Sequence, residues 1–114
     1  MSNKIKKIFK KKNKTKIVSL TAYSKSIAKI LDIYCDIILV GDSMANVLYG
    51  LKNTHSITIE NIIQHTLSVK KGIKQSLLVV DMPKGSYSNL KKAENNAKLI
   101  IKKTGCDAIK LESN

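Results

Sequence analysis

The sequence predicts an α/β fold built on a parallel sheet, and three observations predict it. Short apolar runs rich in Ile, Leu and Val alternate with longer segments of helical periodicity, giving the order strand, helix, strand, helix, strand, helix, strand. Two of the runs, Asp36–Gly41 (DIILVG) and Ser76–Val80 (SLLVV), are almost continuously apolar, as expected of strands buried on both faces. The chain has 114 residues, enough for one compact domain, and no composition shift marks a linker to a second.

Each element has a local cause. Residues 3–16 carry eight lysines and no acid. Ile5, Ile8 and Phe9 have helical spacing, so this stretch reads either as a short amphipathic helix or as a solvated basic arm. Lys16–Tyr23 (KIVSLTAY) is a strand with β-branched residues. Over Ser24–Ile33 the apolar positions Ile27, Ala28, Ile30 and Leu31 share one side behind Ser24 as N-cap, which predicts a helix. Met44–Ser56 has no clear period and contains Gly50 and Asn53, so it reads as a long loop. Thr58–Lys71 places Ile59, Ile62, Ile63, Thr66, Leu67 and Val69 at helical spacing, with Thr58 or Ser56 as cap and Gly72 as stop signal. Asn89–Thr104 repeats the pattern through Leu90, Ala93, Ala97, Leu99, Ile100 and Ile101 and ends at Gly105. Asp107–Leu111 (DAIKL) is the fourth strand. Only Glu112 at its edge, then Ser113 and Asn114, follow its end, and the expected covering helix does not, a local sign of an incomplete chain.

Charge needs care. The net charge of +13 arises largely from the first 16 residues, and the remaining 98 carry 13 lysines against 8 acids, a net of +5. Arginine is absent while Ile, Lys and Asn abound, a bias that an AT-rich coding genome produces by itself. Arginine is the preferred reader of phosphate and guanine, so specific nucleic-acid binding is not expected. A basic module using residues 4–16 on nucleic acid or an anionic membrane is the alternative of a different class. No run of about 18 apolar residues spans a membrane, and the basic start lacks the apolar stretch of a secretory signal. Cys35 and Cys106 match no metal spacing and read as buried or semi-buried thiols in a reducing compartment. These points predict a cytoplasmic protein without a membrane partner.

The polar residues at the strand ends carry the chemistry. The second strand ends at Asp42-Ser43, the third at Asp81, and the fourth carries Lys110 and Glu112, which point to one face because they are two apart. In parallel α/β folds the C-terminal strand ends form the active-site rim, so Asp42, Asp81, Lys110 and Glu112 are expected to converge on one mouth. Three carboxylates and an ammonium suit magnesium with an oxygen-rich anionic ligand. Lys110 then meets a substrate carboxylate or oxyanion, and Ser43 donates a hydrogen bond. The bland alternative is that these acids cap following helices or form ion pairs. Tyr23 is expected to face the same mouth with its hydroxyl satisfied. His55 and His65 share no metal spacing, and His65 reads as a polar-face or packed neutral imidazole. No glycine-rich phosphate loop accompanies Gly41.

At these residues the sequence resembles a known family. TAYS (Thr21–Ser24), LVGDS (Leu39–Ser43), QHTLSVKKG (Gln64–Gly72), VVDMPKGSY (Val79–Tyr87) and KLES (Lys110–Ser113) are similar, in order and spacing across residues 16 to 113, to ketopantoate hydroxymethyltransferase. The resemblance implies a (β/α)8 TIM barrel, of which this chain covers about the first four strands, residues 16–114, behind a basic tail or helix, residues 1–15. It implies a magnesium-dependent decamer in pantothenate biosynthesis that transfers a hydroxymethyl group from 5,10-methylenetetrahydrofolate to 3-methyl-2-oxobutanoate, giving 2-dehydropantoate. It also implies that Asp42 and Asp81 ligate magnesium, that Glu112 completes the metal shell, and that Asp42, Ser43, Asp81 and Lys110 bind substrate. The family's general base, a glutamate, is expected beyond Asn114, so the isolated chain is expected to be an inactive fragment with exposed sheet edges. A related magnesium-dependent α-oxo-acid barrel of the isocitrate lyase and phosphoenolpyruvate mutase superfamily is the alternative enzyme. Three departures from the family pattern stand out: Lys84 replaces an aromatic residue, Ser56 replaces a proline, and Ser113-Asn114 replace a double glycine.

Overall fold

The structure, a computed structural model, describes residues 2–112. Its elements are α1 (Asn3–Lys11), β1 (Ser19–Thr21), α2 (Lys25–Leu31), β2 (Ile37–Val40), α3 (Met44–Val47), α4 (Ile59–Lys70), β3 (Leu77–Asp81), α5 (Leu90–Thr104) and β4 (Ala108–Lys110). The four strands form one parallel sheet in the order β1-β2-β3-β4. Sequence order and spatial order coincide, so among the described residues there is no topological switch point of the kind that defines a doubly wound sheet.

Sequential order with right-handed crossovers places every connecting helix on the same side. Accordingly α4 packs between α2 and α5 and covers β2 and β3. The core lies in that layer: Ile38, Val40, Leu78 and Val80 from the strands meet Ala28, Ile62, Val69 and Ile100 from the helices. Each such side chain, moved fully out of water, contributes about 1.5–3 kcal/mol for a residue of Val or Leu size. Residues on the opposite sheet face, including Ile37, Leu39, Val79 and Ala108, are only half-buried, and all of Ser19–Thr21 is exposed. Burial on both faces, the expectation for these strands, is realised in β3, where Leu77 and Asp81 are buried on the far face as well, whereas β2 is fully buried on the helix side alone.

Helix ends follow the sequence with informative exceptions. Thr58 caps α4 through a capping box, its hydroxyl accepting from the Asn61 N–H while the Asn61 side chain accepts from the Thr58 N–H. Asn89 caps α5 by accepting from the Lys92 N–H at 2.8 Å, and Gly105 closes that helix in the left-handed conformation at φ 63°. Ser24 precedes α2 but makes no side-chain cap bond. Gly72 is not a left-handed cap: α4 ends through Lys71 in a right-handed conformation, and Gly72 is glycine because α2 leaves no room for a Cβ. Residues 44–56 are not all loop, since Met44–Val47 forms one helical turn with Met44 and Ala45 buried. Two apolar side chains then anchor a segment whose flanks hide the period. The basic start is helical over Asn3–Lys11, capped by Ser2, and is tied down by Lys11 to Asp36 at 2.6 Å and Lys4 to Asp107 at 3.7 Å.

A second tie holds the loop before β3. Buried Asp32, at the end of α2, accepts backbone N–H bonds from Lys74, Gln75 and Ser76 at 2.8–3.2 Å. Burial alone pushes its carboxyl up, but these bonds outweigh it and hold the group below the usual carboxylate range. Cys35 and Cys106 are both buried free thiols, each pushed up chiefly by burial. No helix of the described residues is long and apolar enough to cross a membrane. The Ser113-Asn114 departure lies outside the described residues.

Candidate functional site

The sheet register assembles the strand-end charges. Asp81 and Lys110 are direct Cα partners across β3 and β4, so their side chains leave the sheet on one face. Lys110 Nζ donates to Asp81 Oδ2 at 3.1 Å and also to Glu112 Oε1. Lys110 and Glu112 meet because residues two apart on an extended chain share a face, as the sequence predicts. Beyond β2, Gly41 lies beside Asp81, and a Cβ on it would stand 3.5 Å from Asp81 Oδ2. Asp42 follows, in the turn that leads into α3, its carbonyl accepting from the Ala45 N–H.

The electrostatics of Asp81 are set first by burial. The residue is 7% exposed, and desolvation pushes its carboxyl above the usual range by more than the Lys110 hydrogen bond and charge lower it. The charges of Glu112 and Asp42 add to the rise, which places all three carboxylates within electrostatic reach. Burial acts to lower the Lys110 ammonium, but its bonds to Glu112 and Asp81 outweigh that and raise it. Glu112, exposed, is held below the usual range by Lys110. The result is a fixed ammonium flanked by carboxylates, facing the strand ends.

Ser43 and Tyr23 belong to a separate network. Tyr23 Oη and Ser43 Oγ share a hydrogen bond of 2.5 Å in which either hydroxyl can donate; when Tyr23 donates, the Ser43 hydroxyl, the expected substrate contact, keeps its own O–H for a ligand. His65 fixes Tyr23 from behind: its Nδ1 lies 2.8 Å from the Tyr23 carbonyl oxygen and its Nε2 lies 2.7 Å from Tyr49 Oη. A carbonyl only accepts, so Nδ1 donates, and a neutral ring then accepts at Nε2 from the tyrosine hydroxyl. His65 is thus half-buried and bonded through both ring nitrogens, which agrees with the packed reading of this residue. Its partnership with Tyr49 was hidden, because Tyr49 lies in a segment without periodicity.

Between the strand ends and the loops opens a cleft of about 580 Å3, lined by Asp42 and Glu112 and by Thr54, His55, Lys84, Tyr87 and Ser88. Sequence reading singled out Lys84 only as a departure and His55 only as a lone imidazole. The structure joins them: Lys84 Nζ lies 3.1 Å from His55 Nε2. Thr54, Tyr87 and Ser88 had no signal of their own beyond the motif that contains Tyr87. A hollow of about 230 Å3 between α1 and the start of β2 is lined by Lys4, Lys7, Lys11 and Asp36, and lies at the opposite ends of the strands.

The donor set fits a hard divalent cation. Asp42, Asp81 and Glu112 offer only anionic oxygen, the ligand type magnesium takes. Among the described residues no three His, Cys, Asp or Glu side chains form a ready cage. Magnesium needs none, since it keeps several waters and commonly takes one or two carboxylates and substrate oxygens.

Comparison with known proteins extends these observations. A sequence profile of the family described as ketopantoate hydroxymethyltransferase matches residues 2–114. The chain is 58% identical over 112 residues to a Pelagibacter ubique protein named 3-methyl-2-oxobutanoate hydroxymethyltransferase, covering 98% of this chain and 44% of that one. Proteins of the same name from Chelativorans sp. and Rhizobium rhizogenes are 46% and 50% identical, over 92% and 84% of this chain and 38% and 36% of their own lengths. The chain thus spans less than half the length of these curated relatives. Its four sequential parallel strands with helices on one side correspond to half of a (β/α)8 barrel.

Proposed function

The chain belongs to the ketopantoate hydroxymethyltransferase family, and on that premise we propose that it supplies the strand-end half of a site that adds a hydroxymethyl group to 3-methyl-2-oxobutanoate. The one-carbon donor in this reading is 5,10-methylenetetrahydrofolate and the product is 2-dehydropantoate, in pantothenate biosynthesis in the cytoplasm. The observation that carries the reading is the ammonium of Lys110 held between Asp81 and Glu112 at the strand ends, with Asp42 beside them.

Asp42 and Asp81 are the residues we assign to magnesium, with Glu112 completing the shell directly or through water. When bound, the ion supplies Lewis acidity to the oxygens of the keto acid and so acidifies the adjacent carbon. Lys110, rigidly held by two carboxylates, offers its remaining N–H to the substrate carboxylate. Ser43 donates its hydroxyl proton to the substrate while accepting from Tyr23, and the His65 bond to the Tyr23 carbonyl keeps that tyrosine in place. Removal of the substrate proton requires a base. Asp42 and Asp81 are assigned to the cation, and Asp81 and Glu112 also hold Lys110, so none of them is assigned that role. In the complete assembly we propose a homo-oligomer, as the family resemblance implies.

The test is calorimetric titration of the chain with 3-methyl-2-oxobutanoate, with and without magnesium. Binding that requires magnesium and is lost in Asp81→Asn is the expected result. Binding indifferent to both would refute the assignment.

A further inference from the structure

We propose that Lys84, held against His55 at the rim of the cleft, recognises the glutamyl carboxylates of the folate-type one-carbon donor. The inference rests on the function proposed above and assigns the orientation of the second substrate in the same cleft.

Lys84 is not a loosely placed surface lysine. It is the second residue of the turn Pro83-Lys84-Gly85-Ser86, closed by the Ser86 N–H on the Pro83 carbonyl at 3.0 Å. The third position, Gly85, has φ 85°, the conformation a type II turn requires there and glycine supplies. Pro83 and Ser86 are buried, and the Ser86 hydroxyl donates to the Pro83 carbonyl at 2.5 Å. The turn therefore projects Lys84 from a fixed base. On the facing loop, His55 is held by its own N–H on Asn53 Oδ1 at 3.0 Å. Its Nε2 then meets Lys84 Nζ. An ammonium only donates, so the His55 ring accepts there and is neutral at that nitrogen.

The charge pattern of the cleft gives this arrangement a direction. Asp42 and Glu112 line the strand-end side and repel an anion. Lys84 forms no ion pair with any acid among the described residues, so its charge is uncompensated. One of its three N–H groups is used by His55, which leaves two for a carboxylate. Thr54, Tyr87 and Ser88 line the same opening, and each carries a hydroxyl that can serve as a neutral donor. A ligand whose reactive end meets the strand ends and whose far end bears carboxylates is oriented by such a gradient. The one-carbon donor has that form, a pteridine carrying the transferable carbon and a glutamyl end carrying two carboxylates. The small keto acid, with its one carboxylate assigned to Lys110, does not reach both.

The test uses 5-formyltetrahydrofolate, a stable analogue, and its dimethyl ester, titrated into the full chain with magnesium and 3-methyl-2-oxobutanoate present. We expect the acid to bind about five- to tenfold more tightly than the ester, as one charge-assisted contact at an exposed rim implies. Lys84→Met erases that preference by weakening the acid alone, and Lys84→Arg keeps it. Equal binding of the acid by the parent chain and Lys84→Met overturns the assignment, as does a parent chain that does not distinguish acid from ester or binds neither. Magnesium-dependent keto-acid binding, measured in the same samples, reports on the proposed function separately. Its presence without an acid preference condemns only the Lys84 assignment, whereas its absence condemns the proposed function.

Discussion

Replacing Gly72 by alanine sets two effects of opposite sign against each other, and the structure decides between them. Gly72 is not among the positive-φ residues, so alanine fits its backbone. In open space the change would stabilise the fold by about 0.4–1 kcal/mol, by restricting the unfolded chain. Here the new Cβ would stand 2.4 Å from the Lys25 carbonyl oxygen, 2.8 Å from the Lys29 nitrogen and 3.0 Å from Ala28 Cβ. All three belong to α2, and the two closest are backbone, so no side chain can rotate away. Either α2 moves by roughly an ångström or the end of α4 does, and such overpacking costs about 1–3 kcal/mol. The upper end applies because Asp32, at the C-terminal end of α2, is bonded to Lys74, Gln75 and Ser76 just beyond Gly72. A net destabilisation of about 2 kcal/mol follows. In urea, with a slope of about 1–1.5 kcal/mol/M for a chain of this size, the midpoint falls by roughly 1–2 M with the slope unchanged. The same displacement loosens the His65 bond to the Tyr23 carbonyl, since those residues ride on α4 and just ahead of α2. A midpoint that stays put or rises would show that close approach is not why glycine stands there.

Lys110→Met should abolish magnesium-dependent keto-acid binding while lowering stability by about 1 kcal/mol or less, because the lysine side chain is 38% exposed and its pairs are partly screened; calorimetry and urea unfolding separate the two. Asp32→Ala should destabilise by about 2–3 kcal/mol, since the Ser76 N–H stays buried without its acceptor, and a midpoint loss in urea well below that would refute the anchor role. Asp32 and Asp36 both have carboxyls lowered from 3.8, the first by backbone bonds that overcome burial and the second first of all by the Lys11 hydrogen bond. Their stabilisation is fully present above the unfolded value and is lost as pH falls through the lower folded values. Acid unfolding followed by circular dichroism should therefore begin below about pH 4, and should be shallower in Asp32→Ala.

The alternation of strands and helices was legible because two periods, about 2 and 3.6 residues, carry it. Ile38, Val40, Leu78 and Val80 lie in strands read from apolar runs, and Ile62, Thr66, Val69 and Ile100 lie on helix faces read from spacing. What was misread has physical causes. An apolar run such as DIILVG announces burial without saying which face receives it, and sequential strand order put the crossover helices α2, α4 and α5 on one side, leaving Ile37 and Leu39 half-buried on the other. Leu90, in the apolar series of α5, is 84% exposed, because it sits in the first turn beyond the reach of the sheet. Gly72 looked like a cap because a glycine after a helix usually is one, and the closeness of α2, over 40 residues earlier, is invisible to local reading.

The candidate site divides along the same line. Asp81, Lys110 and Glu112 were readable together because sheet register and the two-residue strand period bring them together, whatever the loops do. The pairing of Lys84 with His55 was not, since it joins two turns far apart in the chain. Its cause is the meeting of loops rather than any period. Strand ends are constrained by the buried layer beneath them: a change at Asp81 disturbs a 7% exposed carboxylate and its register partner. The rim has no such constraint, because Lys84 and His55 are exposed and their backbone is held by Gly85, Pro83 and Asn53 rather than by their own side chains. In the proposed function, substitution at the rim can therefore retune which ligand end is welcomed without touching the strand-end carboxylates. A lysine at position 84, where the family resemblance leads one to expect an aromatic residue, set on a closed turn above the strand-end carboxylates, is the kind of departure this division of labour permits.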